Sequence, residues 1–166
     1  MDSLKTEFLK DVNSCHGILH QVCRIYTRGE DGKEDLFQEI LYQLWKSYPT
    51  FQGKSKFSTW LYRVALNTAI TSYKKFEKRN QYELHVEDFP DRKEEGNEEE
   101  EKINNMYGAI YNLGKVDKAL ILLFLEDKKY EEIAEILGMT TSNVGVRLLR
   151  ARKKLETMIN ENAQDN

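Results

Sequence analysis

The chain has 166 residues, 40% of them apolar and 32% charged, with 9 Gly, 2 Pro and 2 Cys. That is room for one ordinary domain or two very small ones, with too little Gly and Pro for a loop-rich β-sandwich or a disordered chain. No apolar run approaches the ~18 residues that span a bilayer, Met1–Lys5 carries no basic-then-apolar leader, and two cysteines make no disulfide framework, so the expectation is a cytoplasmic chain with no membrane insertion.

The net charge of −3 argues against nucleic acid as a partner until it is resolved along the chain. Residues 54–80 carry seven basic side chains against Glu77 alone, a net +6, and residues 147–154 carry +5 with no acid. Between them, residues 87–101 hold nine acids opposed only by Arg92 and Lys93, a net −7. Like charges in a block repel and resist burial, so the acidic stretch reads as a solvated linker, weakened as a helix by Pro90 and Gly96. The predicted organisation is all-α: a helical domain over 1–82, an acidic flexible linker over 83–102, and a second helical domain over 103–166 that contains a helix-turn-helix.

The first predicted helix runs from Ser14 to Arg28. It places His16 and His20 one turn apart, but Cys15 and Cys23 diverge on the wheel, so no metal site is assigned and the cysteines are read as small core residues. The next helix covers 35–48, with Leu36, Phe37, Ile40, Leu41, Leu44, Trp45 and Tyr48 on a broad apolar half, and Asp35, Gln38, Glu39, Tyr42 and Lys46 on the wet half; Pro49 ends it.

A loop around Gly53 leads to a helix capped by Ser58 or Thr59 and running to about Arg79. Its narrow polar stripe holds Arg63, Asn67, Thr71, Lys74 and Lys78 within ~80° of one another on the wheel. The loop mixes Lys54, Ser55 and Lys56 with Phe51, Phe57 and Trp60. Cations beside rings suit unpaired nucleic acid, where phosphates meet charge and splayed bases stack. Phe57 and Trp60 are equally readable as core plugs, and the basic stripe as a solvated face.

Beyond the linker, Ile103, Met106, Tyr107, Ile110 and Leu113 form one helical pattern, and Gly114 separates it from a second over Ala119–Leu125. Residues 128–155 then give a short helix with Ile133, Ala134, Ile136 and Leu137, ended by Gly138 in the left-handed region. Thr140 or Thr141 caps a longer helix with the buried seam Val144, Leu148, Ala151, Leu155 and Ile159. A short helix, a tight turn and a longer helix with a basic outer side make a helix-turn-helix. The outer side carries Ser142, Asn143, Val146, Leu149, Arg150 and Lys153, with Arg147 and Lys154 flanking; arginine there can read guanine edges and asparagine adenine, while Arg152 and Lys153 suit phosphates.

Taken together, the chain resembles the bacterial RNA polymerase sigma factors of the extracytoplasmic-function (ECF) type, in their two-domain form. Asp35-Leu36-Phe37-Gln38-Glu39 with Leu44-Trp45 looks like their region 2.2. Phe57 through Ala69 looks like regions 2.3 and 2.4, and Tyr130-Glu131-Glu132-Ile133-Ala134 through Arg150-Ala151-Arg152 like region 4.2. The resemblance implies that Asp35, Leu36, Phe37, Gln38, Glu39 and Trp45 meet the β′ coiled coil of core RNA polymerase, with the β flap as a further polymerase contact. It implies that the Gly53–Phe57 loop receives a flipped base of the −10 promoter element, at a cost of a few kcal/mol recovered in the pocket, that Arg63, Asn67 and Lys74 hold the opening strand, and that Lys54, Ser55, Lys56, Phe57, Ser58, Thr59 and Trp60 belong to the same −10 binding and melting surface. Thr141, Ser142, Asn143, Arg147, Arg150, Arg152 and Lys153 would read the −35 element as duplex.

Relatives are often restrained by an anti-sigma partner, and when joined to polymerase the factor is nucleoid-associated. Relatives commonly carry a polar or basic residue where Gly145 and Val146 stand. Glycine there suggests a closer backbone approach to the groove, and the −35 sequence does not carry over. No cofactor is implied. An enzyme is disfavoured because the crowded carboxylates sit in a linker without fixed geometry and no phosphate-cradling glycine loop is present. The alternative, a freestanding helix-turn-helix regulator, needs only 103–166 and leaves the 35–79 motifs without a purpose.

Overall fold

The computed structural model describes the backbone of residues 2–82 and 97–165, and the side chains of 2–72 and 97–165. The expectations for 83–96 and for the Lys74 side chain lie outside the described residues. Among these residues there are eight α-helices and no strand, as the all-α reading requires.

Helix α1 (Asp2–Ser14) was not anticipated; it buries Phe8 and Val12. The helix expected over Ser14–Arg28 starts later. The Cys15 N–H turns back onto the Val12 carbonyl, and α2 (His16–Tyr26) stops where Thr27 becomes extended, with its N–H and hydroxyl both on the Cys23 carbonyl. Helix α3 (Glu30–Ser47) begins five residues before the predicted start, with Glu30 and Asp31 in its first turn, where carboxylates suit the positive end of the helix dipole. A single 3₁₀ turn, Tyr48–Thr50, carries Pro49. Helix α4 (Phe57–Tyr82) starts at Phe57, so Ser58 and Thr59 lie inside its first turn and do not cap it. Helices α2, α3 and α4 pack on one another around Leu19, Val22, Cys23, Ile25, Leu36, Ile40, Leu44, Leu61, Ala65 and Leu66. Each fully buried Leu or Ile of this set is worth roughly 1.5–3 kcal/mol relative to exposure.

Helix α5 (Glu98–Tyr111) takes Glu98–Glu101, assigned to the linker by sequence, into its first turn. Two forces put them there. The Asn97 side chain accepts from the Glu99 N–H, a favourable N-cap, and four carboxylates face the positive helix end. Helix α6 (Lys115–Leu125) is the most buried element, with Lys118 through Leu123 all inaccessible. After it, Asp127 at φ 55° lets the Lys128 N–H reach the Leu123 carbonyl. Helices α7 (Tyr130–Leu137) and α8 (Thr141–Gln164) complete the chain. The two halves also touch: α2 packs on α5 and α6, and α4 on α6 and α7.

Candidate nucleic-acid interface

The turn between α7 and α8 has the predicted construction. Gly138 sits at φ 66°, ψ 40° as the C-cap of α7, a conformation that costs an L-residue roughly 1–2 kcal/mol. Thr140, not Thr141, caps α8: its hydroxyl accepts from the Asn143 N–H at 3.1 Å. Val144, Leu148 and Ala151 are fully buried, so the opposite face of α8 must point outward. Thr141, Ser142, Asn143, Arg150, Arg152 and Lys153 are exposed. Arg147 behaves differently. Its guanidinium lies 3.7 Å from Asp117 on α6, and Lys154 reaches the same carboxylate at 3.7 Å. The Arg152 guanidinium lies over the Phe124 ring at 4.6 Å. Sequence reasoning missed Asp117, whose one carboxylate orients two cations beside the outward face. A Cβ at Gly145 would lie 3.5 Å from Cε2 of Tyr130 on α7, an ordinary contact.

Four rings gather at the start of α4. Phe51, Phe57 and Trp60 have centroids 5.2–5.7 Å apart, and Tyr48 meets Phe57 and Trp60 edge-on at 6.3 Å. All but Tyr48 are half-buried, while Lys54 and Lys56 in the adjoining loop, and Arg63 and Asn67 further along α4, are exposed. Ser55, Ser58 and Thr59 are half-buried. Tyr48 anchors the cluster. Its hydroxyl donates to Asp11 at 2.8 Å, and burial, followed by that carboxylate, pushes the phenol up to about 12.

On α3, Asp35, Gln38 and Glu39 are exposed, and Trp45 is 41% exposed with one edge on Phe8 of α1 (5.0 Å). Leu36 is buried in the core, so it holds α3 in place; Phe37 is half-buried and stacks on His20 at 5.2 Å. His16 and His20 meet through their Nε2 atoms at 3.1 Å. Among the described residues no group of three or more His, Cys, Asp or Glu is placed to hold a metal. His20 titrates below its ordinary value because burial, then His16 and Lys33, oppose its protonation. The Cys23 thiol is pushed up to about 11 by burial, in keeping with a core residue.

Between the halves runs a repeated contact. Arg24 lies 3.8 Å over the Tyr107 ring and donates to Asn104; just past the end of α2, Arg28 lies 4.0 Å over Tyr111 and donates to Asn112. The Tyr26 hydroxyl donates to the Lys115 carbonyl. Lys118, fully buried, places its ammonium 4.4 Å from the Tyr111 centroid and 5.3 Å from that of Tyr26. Lys128 on α7 faces the Tyr62 ring of α4 at 5.7 Å.

The sequence of the first half matches the Sigma-70 region 2 family model over residues 12–79, and that of the second matches Sigma-70, region 4 over 110–155. The chain is 33% identical to the ECF RNA polymerase sigma-E factor of Haemophilus influenzae, across 75% of this chain and 73% of that one. It belongs to the ECF sigma factors. It is also 30% identical to the RNA polymerase sigma factor SigV of Bacillus subtilis over 81% of this chain and 80% of that relative. The same fold occurs in the sigma factor RpoE of Bartonella quintana, solved with the anti-sigma factor NepR (TM-score 0.66, 21% identity, 96% of this chain and 98% of that one). It occurs again in CnrH, solved with the cytosolic domain of CnrY (TM-score 0.67, 20% identity, 95% and 90%). As an ECF sigma factor the chain works in transcription initiation, with core RNA polymerase and promoter DNA, and its family is non-enzymatic. Among the described residues no helix is long and apolar enough to cross a membrane.

Proposed function

We propose that the exposed face of α8 reads the −35 element as duplex, that the aromatic corner at 51–60 with Arg63, Asn67 and Lys74 takes up the −10 strand, and that Asp35, Gln38, Glu39, Phe37 and Trp45 dock on the β′ coiled coil. The observation that carries this reading is the opposed seam of α8. Burying Val144, Leu148 and Ala151 leaves Ser142, Asn143, Arg150 and Lys153 no direction but outward, at the groove-entering end of a helix-turn-helix. The β flap is the expected second polymerase contact. The chain then acts in the cytoplasm, and on the nucleoid once joined to polymerase.

The packing of the two halves supports a change of shape on assembly. α4 and α8 both pack on α7, and packed helix axes lie about 8–10 Å apart, which puts the two helices ~20 Å from one another. Elements centred near −35 and −10 are separated by ~85 Å of duplex at ~3.4 Å per base pair. One chain in the closed arrangement cannot reach both, so core polymerase must hold the halves apart. One solved neighbour was captured with an anti-sigma factor and another with the cytosolic domain of CnrY, and we propose a partner of the anti-sigma kind for this chain, holding the closed arrangement.

The test is transcription in vitro with core polymerase on a randomised promoter library. Enrichment of promoters sharing two spaced elements is expected. Failure to form a complex with core polymerase at moderate salt, with duplex binding retained by residues 98–166, overturns the reading in favour of a freestanding regulator.

A further inference from the structure

The outward face of α8 is less polar than a base-reading helix needs. At about 100° per residue, Ser142, Val146, Leu149 and Lys153 fall at its centre, opposite the buried seam. Val146 is 50% and Leu149 54% exposed. A lone exposed apolar residue is ordinary, but these two stand side by side at i and i+3, in the part of the helix that meets a groove. Cations border them: Arg150, Arg152 and Lys153 are all exposed, a charge pattern that fits a polyanion. The polar neighbours that would otherwise dominate readout are partly withdrawn. Arg147 and Lys154 are drawn back onto Asp117, which leaves Ser142, Asn143 and Arg150 as donors to base edges.

In the major groove, thymine alone among the four bases offers an apolar group, its 5-methyl. Valine or leucine set against the edge of guanine, cytosine or adenine would strip water from a donor or acceptor and return nothing. Residues at i and i+3 lie about 4.5 Å apart along a helix, close to the ~3.4 Å between successive base pairs.

We infer that Val146 and Leu149 read the 5-methyl groups of thymines at adjacent base pairs, so that the −35 element of this factor contains a step of two A·T pairs. The inference rests on the assignment of α8 to the −35 duplex and deepens it. Arg150 and Asn143 supply hydrogen bonds at the flanking pairs, and the apolar pair supplies discrimination in the middle.

Uracil differs from thymine only in lacking the methyl group, so the test is a scan of deoxyuridine for thymidine across the −35 element of a promoter enriched from the library, read as closed-complex affinity of the holoenzyme. Two adjacent positions are expected to lose about fourfold each, the worth of one buried methyl, and the other thymines little. Val146→Ala and Leu149→Ala should each abolish the sensitivity at one of the two positions. Both side chains are exposed and alanine favours helix, so folding is not at risk. Uniform indifference to uracil, or unchanged sensitivity in both variants, overturns the inference while leaving the −35 assignment intact. Weaker core-polymerase or protein-partner binding by the variants, with no uracil effect, overturns it in favour of a protein contact. A holoenzyme that binds no promoter fails at the earlier step and condemns the parent reading instead.

Discussion

The two regions proposed to face DNA are built in opposite ways. The α7–α8 face presents side chains from a straight helix whose start is fixed by the Thr140 cap and the Gly138 turn, with two of its cations braced on Asp117. The region at 51–60 is a loop with exposed lysines running into rings that touch mainly one another. Duplex DNA has a regular groove, and a rigid reader can match it. A strand being unpaired has no fixed shape, and stacking rings with mobile cations accept whatever it offers. On the proposed reading, the difference between the regions answers the difference between their targets.

Five measurements bear on that contrast. The largest effect should come from Trp60→Ala, which removes a ring from the stacking cluster: about 1–3 kcal/mol per base contact, seen as at least a fivefold loss of permanganate reactivity at the −10 element, with closed-complex affinity near that of the parent. Trp60→Phe should restore most of it, and equal reactivity in all three proteins would remove the strand-opening role. Next, Arg150→Ala should cost promoter affinity fivefold or more and relax base preference at one position, as expected for loss of a bidentate base contact. Arg147→Ala, starting from a side chain already held by Asp117, should cost less and alter no preference. Equal losses would mean that α8 is not braced as described.

A smaller change is expected on opening the halves. Arg24→Ala with Arg28→Ala removes both cation–ring contacts, each worth roughly 0.5–1 kcal/mol at an exposed site, and should lengthen the mean distance between dyes placed on α3 and α8 in the free protein. Asp117→Asn should release Arg147 and Lys154, raise non-specific duplex affinity at low salt and steepen its salt dependence by up to two phosphate contacts, at a stability cost of about 1 kcal/mol or less. The smallest effect is the pH response of His20. Its fold-depressed affinity for a proton means that the unfolded chain binds the proton first as pH falls below about 6.5, so stability should decline there and not above it. His20→Gln should flatten that part of the denaturation profile.

Much of this design was legible in the sequence because it is local. The α7–α8 turn is dictated by residues within a few positions of one another: Gly138 for a left-handed backbone, Thr140 for a cap, and a seam at spacings of three and four. What stayed hidden depends on distance along the chain. Asp117 meets Arg147 from another helix, and Arg24 and Arg28 find Tyr107 and Tyr111 some eighty residues further along the chain; no periodicity reports such pairs. Helix α1 escaped because Leu4 and Leu9 are exposed while only Phe8 and Val12 are buried, which blurs its apolar stripe. The acidic run is half legible: like charges repel, as a solvated linker requires, but at Glu98–Glu101 the same charge favours the first turn of a helix.

Lys118 gives the joint between the halves a particular economy. Its ammonium lies out of water against Tyr111 from one half and Tyr26 from the other. In an all-apolar seam, separation would expose hydrocarbon and gain nothing in return. Here separation rehydrates a cation, and that hydration offsets part of the lost packing. The seam is therefore easier to part than an all-apolar one would be, and Lys118→Met would be expected to turn it into a second core.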